Sequence, residues 1–168
     1  MPHANHRLSL FLVPVDPDQV LGSTTQERIE HVLREKRVLD EGYLAGGEAN
    51  WLLEGGFYRY RFDQPGVPVV YGNRQGGYRV SCPSCGSSLA LEVGVVLERW
   101  RTGEGRGHLC SKCHHSSTLE EWRFQPPAWP GKCALVFSRV GGLELNQHAA
   151  EALEEAAGTR LVPVLSRG

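Results

Sequence analysis

The chain is 168 residues long, 40% hydrophobic and 22% charged, with a formal net charge of −1. That composition suits a soluble globular protein, one domain or a domain carrying a small module, able to bury its own core. Positive and negative residues balance in residues 1–81, 82–124 and 125–168 alike. This balance argues against a surface dedicated to tracking nucleic-acid phosphates.

Arg7 precedes the apolar run Leu8 to Val15. The run is short enough for a signal-peptide core but continues into Asp16-Pro17-Asp18 without a small-residue cleavage site, so it reads as a buried strand. No run reaches the ~18–20 apolar residues of a membrane span. Thr24 and Glu27 have capping-box spacing, and Ile29, Val32, Leu33 and Leu39 follow at roughly helical intervals. Gly42 is placed to end that helix. Residues 43–56 hold four glycines and read as a long connection with a turn of helix around Trp51. Phe57 to Phe62 alternates as a half-buried strand, with Tyr58, Tyr60 and Phe62 on one face and Arg59 and Arg61 on the other. Val67 to Tyr71 and Tyr78 to Cys82 read as two strands of a hairpin joined by the glycine-rich loop 72–77.

Residues 88–101 are expected as a strand, because Leu89, Leu91, Val93 and Val95 alternate. Gly103 to Gly107 then forms a tip, and Thr118 to Phe124 leaves as another strand. Pro126 to Gly131 holds three prolines and reads as a stiff connector. Ala134 to Val140 is a further strand. Leu143-Glu144-Leu145-Asn146 leads into a helix with Asn146 as its cap, Ala149, Ala150, Leu153, Ala156 and Ala157 on one face, and Gly158 as its stop. Leu161 to Leu165 is a last strand, which Pro163 confines to a sheet edge. The outer segments thus run strand-helix-strand twice, the order of a ferredoxin-like split βαβ fold, an α+β antiparallel sheet with two helices. Residues 1–81 and 125–168 together form that α/β domain, and 82–124 are an inserted β-rich module.

The module carries the most specific motif in the chain: Cys82-Pro83-Ser84-Cys85-Gly86 and Cys110-Ser111-Lys112-Cys113-His114, with 24 residues between Cys85 and Cys110. A tight turn between paired cysteines aims both sulfurs at one point, and two such turns complete a tetrahedral thiolate cage suited to Zn²⁺. Cys82, Cys85, Cys110 and Cys113 are therefore expected to hold a structural zinc, with iron the alternative for a four-sulfur cage. The stretch resembles a zinc ribbon of the rubredoxin-like family. The resemblance rests on the two C-x-x-C knuckles and covers about a quarter of the chain. It implies metal-held β-hairpins and, because ribbons serve many roles, no particular activity. His114 departs from the pattern, standing where a glycine or small residue often follows the second knuckle.

Other readings of these cysteines are weaker. Cys110-Ser111-Lys112-Cys113-His114 also matches a c-type haem attachment pattern, but that needs export in most settings and leaves the first pair unexplained. A redox dithiol at Cys82 and Cys85 would need a thioredoxin-like setting that the flanking strands do not supply. Paired C-x-x-C motifs without a secretion signal favour a reducing, cytoplasmic compartment. Four thiolates fill a tetrahedral metal, so the cage offers no open position for catalysis, and His114 and His115 read as surface neighbours. Cys133 opens an apolar strand and reads as a small buried residue.

Arg99, Trp100, Arg101 and Arg106 form the candidate partner contact, since arginine and tryptophan are enriched at interaction hot spots and both stack on bases. The opposing reading packs Trp100 inward, with Glu98 and Glu104 offsetting the charge. Two functions follow as expectations. The first is a non-catalytic protein-binding role, as an adaptor, inhibitor or immunity-type protein. The second is a nucleic-acid-associated zinc-ribbon factor. No acid/base or phosphate-loop motif nominates an enzyme.

Overall fold

The computed structural model describes residues 8–142 and 144–168. Arg7, before the first apolar run, and Leu143, in the lead-in to the last helix, lie outside the described residues.

Continuous apolar runs become strands here because both faces of the main sheet are covered. Strand β1 (Leu8–Pro14) sends Leu10 and Leu12 to one face and Phe11 and Val13 to the other, and all four are buried. Helix α1 (Ser23–Glu35) follows, then strand β2 (Arg59–Asp63). Three short strands come next in the chain: β3 (Val69–Tyr71), β4 (Arg79–Ser81) and, beyond helix α2 (Glu92–Arg101), β5 (Gly107–Leu109). They are followed by β6 (Ser116–Thr118), β7 (Arg123–Gln125) and β8 (Trp129–Gly131). Strand β9 (Ala134–Ser138), helix α3 (Gln147–Ala157) and strand β10 (Leu161–Arg167) close the chain. The result is a mixed α/β architecture whose sheets are all antiparallel. Among the described residues no helix is long and apolar enough to cross a membrane.

The largest sheet has the order β10-β1-β9-β2. Helices α1 and α3 cover one face, where Ile29, Leu33 and Leu153 meet Leu10, Leu12, Leu135 and Phe137. On the opposite face Phe11, Val13, Val136 and Val164 are covered by Tyr71, Val69 and Trp129 of the β3–β8 ladder. Pro163 sits in β10, an edge strand, where its missing N–H breaks no ladder on the open side. Asn146 caps α3 as its sequence suggests, its Oδ1 accepting from the N–H groups of His148 and Ala149, and Gly158 ends the helix at φ 70°.

Other expectations are corrected. The capping box at Thr24 and Glu27 does not form: α1 starts at Ser23 behind Gly22, with no side-chain cap. The helix ends at Glu35, well before Gly42, because Arg37 turns left-handed (φ 57°) and lets Val38 and Leu39 fold back into the core. Tyr58 and Tyr60 do not share a buried face: Tyr60 is in the core, whereas Tyr58 is exposed under the Arg139 guanidinium. The 67–71 and 78–82 segments do not pair as a hairpin. Instead β3 pairs with β8, which makes part of the proline-rich connector a strand, and β4 pairs with β7. The loop between them is held away from a hairpin turn by the Arg74 and Gln75 amides, which donate to Arg167 O at the end of β10. The expected strand at 88–101 is helix α2 over Glu92–Arg101, since burial of Val93, Val96 and Trp100 follows a helical period.

Residues 80–128 supply a separate hydrophobic cluster: Val80, Leu89, Val93, Val96, Trp100, Leu119, Trp122, Phe124 and Ala128, together with Cys82 and Cys110.

Candidate metal centre

The two cysteine knuckles are built alike. In the first, Gly86 N–H donates to Cys82 O (3.0 Å) and Cys82 N–H to Ser87 O (2.9 Å). In the second, His114 N–H donates to Cys110 O (2.9 Å) and Cys110 N–H to His115 O (3.0 Å). The residue after each second cysteine is left-handed, Gly86 at φ 73° and His114 at φ 59°. The glycine-like position that His114 fills is thus a real conformational demand. A non-glycine residue there bears a strain of about 1 kcal/mol. His114→Gly should therefore keep the full metal content and alter stability by no more than about 1 kcal/mol. A β-branched His114→Val should be clearly destabilising. Chemical denaturation alongside metal analysis checks both, and loss of metal in His114→Gly would make the imidazole a ligand.

The turns bring four sulfurs together. Cys82 Sγ lies 3.7 Å from Cys113 Sγ, and Cys85 Sγ lies 3.8 Å from Cys110 Sγ. All four sulfurs fall within 4.8 Å of one another. A tetrahedral site with metal–sulfur bonds of about 2.3 Å has edges of about 3.8 Å, so the spacing fits a metal held by four thiolates. Among the described residues this is the one group of three or more potential ligands in metal-binding reach, and it contains no histidine. The arrangement is compatible with a zinc-ribbon-like site. Cys82 and Cys110 are buried, Cys113 is partly buried and Cys85 is exposed, so the site is anchored in the second core and open to solvent on one side.

Donors surround the sulfurs, and at Cys85 and Cys110 they favour the thiolate form. Ser84 N–H points at Cys82 Sγ (3.4 Å), and Ser87 Oγ lies 3.1 Å from Cys85 Sγ and 3.6 Å from Cys110 Sγ. Hydrogen bonds from the Ser87 hydroxyl and then its N–H lower the Cys85 thiol. Cys110 is held down to about 5 by the Cys113 N–H first, then by the Ser87 hydroxyl and the Lys112 N–H. Cys113 goes the other way, to about 11: the His115 N–H opposes the rise, and burial with the three neighbouring sulfurs outweighs it. Four sulfurs this close do not all ionise beside one another without a cation, which is the condition a divalent metal meets.

The candidate contact residues sit together at the end of α2 and are largely turned inward. Trp100 is buried, and its Nε1–H donates to Asp18 Oδ1 at 2.8 Å. Arg106 makes two 3.0 Å hydrogen bonds to Glu120 and an ion pair to Asp18, with its guanidinium 5.2 Å from the centre of the Trp100 ring. Lys132 Nζ reaches Asp18 Oδ1 at 3.2 Å and also approaches the Trp100 ring. Arg99 Nη2 donates to Gly107 O (2.7 Å), tying α2 to β5, and Arg101 is exposed beside Glu98. The sequence offers no sign of Asp18, which follows β1, as the hub of this cluster. It joins the cysteine-bearing segment to the main sheet. Burial works against ionisation of Asp18, but hydrogen bonds from Trp100, Arg106 and Lys132 together hold its carboxyl below 3.8. A depressed carboxyl stabilises the fold above its ordinary pKa and ceases to do so as pH falls through the lowered value, so this cluster is intact at neutral pH.

Cys133 is buried immediately before β9, its thiol directed at Gln19 O (3.6 Å) and its pKa raised by burial. That is the environment of an inert core cysteine.

No protein family, curated protein or solved structure matches this chain.

Proposed function

We propose that this chain is a non-catalytic, zinc-held protein-binding module. Its fold is read as ferredoxin-like, with a zinc-ribbon-like insertion between the second and third strands of the main sheet. The β10-β1-β9-β2 order, with one helix crossing from β1 to β2 and another from β9 to β10, supports the fold reading. The four-sulfur donor set supports zinc in a closed structural site, which leaves no coordination position for substrate. A cytoplasmic setting accords with free thiols.

The observation that carries the binding role is the exposed apolar edge at the start of α2, from Leu91 just before it to Val95 within it. Leu91 is 90% exposed and Val95 58% exposed, one helical turn apart, and Leu109 on β5 is 58% exposed. Leu91 and Val95, one turn apart, would form the apolar centre of a docking surface for a protein partner. The test is affinity capture with the metal-loaded full chain from an extract of its own host. The wild type should retain one protein in roughly equimolar amount, and Leu91→Ser with Val95→Ser should lose it with metal content and melting unchanged, since both side chains are already exposed. Failure to capture any stoichiometric partner, or capture indifferent to the double substitution, contradicts the proposal.

A further inference from the structure

The two cysteine knuckles repeat each other's backbone hydrogen bonds but not their side-chain bonds to sulfur. Cys82, Cys85 and Ser87 of the first correspond to Cys110, Cys113 and His115 of the second. Cys82 N–H donates to Ser87 O just as Cys110 N–H donates to His115 O. The Ser87 N–H also reaches the Cys85 sulfur, as the His115 N–H reaches that of Cys113. There the likeness stops. Ser87 adds its hydroxyl, 3.1 Å from Cys85 Sγ and 3.6 Å from Cys110 Sγ. Among the described residues the His115 side chain bonds to no cage sulfur, and Ser87 is the one side chain outside the cage that does.

That hydroxyl stands where the cage is least protected. Cys82 and Cys110 are buried and Cys113 is partly buried, whereas Cys85 is exposed. A metal-bound sulfur carries no proton, so in the loaded site the hydroxyl is the donor. Its hydrogen bond draws charge from the sulfur, which makes the sulfur a poorer nucleophile toward reagents arriving from solvent. The same bond stabilises the thiolate form that the metal requires. The 3.6 Å approach to Cys110 also places the hydroxyl over the 3.8 Å Cys85–Cys110 edge, which joins one knuckle to the other.

We infer that Ser87 is a positioning residue for the metal: its hydroxyl keeps the exposed Cys85 sulfur in the cage and shields it from electrophiles. The inference rests on the four-thiolate reading of the site and is independent of the partner-binding role. Residues that hydrogen-bond a metal ligand typically change metal affinity by about 10–100-fold when removed, which sets the scale expected of this hydroxyl. Ser84 supplies the internal comparison. Its N–H points at Cys82 Sγ, but its side chain is exposed and bonds to no sulfur.

The test compares Ser87→Ala, Ser87→Thr and Ser84→Ala with the wild type, each as the metal-loaded full chain. Three properties are read: zinc transfer to a chromogenic chelator, the sulfur-to-metal charge-transfer band of the cobalt-substituted protein, and the order in which N-ethylmaleimide labels the cysteines. Each labelling event breaks a sulfur–metal bond and forms a sulfur–carbon bond, and water protonates the neighbouring carbon. Ser87→Ala should release zinc about tenfold more readily than the wild type. Its cobalt band should move to longer wavelength, because the sulfur lone pairs lose a hydrogen bond. Cys85 should label first in both proteins, and faster in Ser87→Ala. Ser87→Thr should restore all three properties, and Ser84→Ala should match the wild type. The inference is overturned if Ser87→Ala matches the wild type in zinc release and cobalt spectrum, or if another cysteine labels first. It is likewise overturned if Ser84→Ala or Ser87→Thr weakens the site as much as Ser87→Ala, since the hydroxyl would then not be the cause. Wild-type protein that holds no metal would instead refute the four-thiolate cage itself, and elemental analysis separates that outcome from a failure of Ser87 alone.

Discussion

Cys110→Ser is expected to abolish stoichiometric metal binding and to melt the second hydrophobic cluster while the four-stranded sheet stays folded. Cys110 is both a cage sulfur and a buried member of that cluster. Structural zinc contributes roughly 10 kcal/mol or more to modules of this size, far more than the short two-stranded ladders around it can supply. The rest of the chain has its own core, built by β1, β2, β9, β10, α1 and α3, in which Leu12, Ile29, Leu33, Leu135, Phe137 and Leu153 are buried. Tryptophan fluorescence should report loss of the environment of Trp100 and Trp122, while far-ultraviolet circular dichroism retains the signal of α1 and α3. Cys85→Ser should follow the same pattern, because the exposed cysteine completes the same tetrahedron. Complete unfolding of the chain in these variants would show that the main sheet depends on the metal.

Trp100→Ala carries the second large effect. Removing a buried indole from a packed cluster costs about 3–5 kcal/mol. Here it also leaves Asp18 without the Nε1 hydrogen bond and Arg106 and Lys132 without the ring face they approach. The expected outcome is a lowered melting temperature with metal still bound, and faster hydrogen exchange along α2 and the 16–21 segment. Trp100→Phe should recover most of the packing and none of the hydrogen bond. A Trp100→Ala protein as stable as wild type would mean that the Asp18 cluster does not hold the cysteine-bearing segment to the sheet.

The clustering of the four cysteines was legible because its signal is local: two C-x-x-C turns specify their own geometry, and the structure needs only to bring them face to face. Asn146 and Gly158 were legible for the same reason, as caps act within one turn of their helix. Residues 88–101 were not, because Leu89, Leu91, Val93 and Val95 satisfy a period of two while Val93, Val96 and Trp100 satisfy a helix. Only burial against Leu119, Trp122 and Phe124 decides between them. Strand partners were equally hidden. A glycine-rich loop between two short apolar runs invites a hairpin, yet the partners of β3 and β4 come from beyond the second knuckle. The Asp18–Trp100 contact spans 82 positions, and no periodicity reports on such a pairing.

The central claim is that four cysteines hold one structural metal. It is tested most directly by elemental analysis of protein purified without added metal, combined with X-ray absorption at the metal edge. The account predicts one zinc per chain surrounded by four sulfurs at about 2.3 Å. Sub-stoichiometric zinc and iron, or a shell containing nitrogen or oxygen ligands, would contradict it.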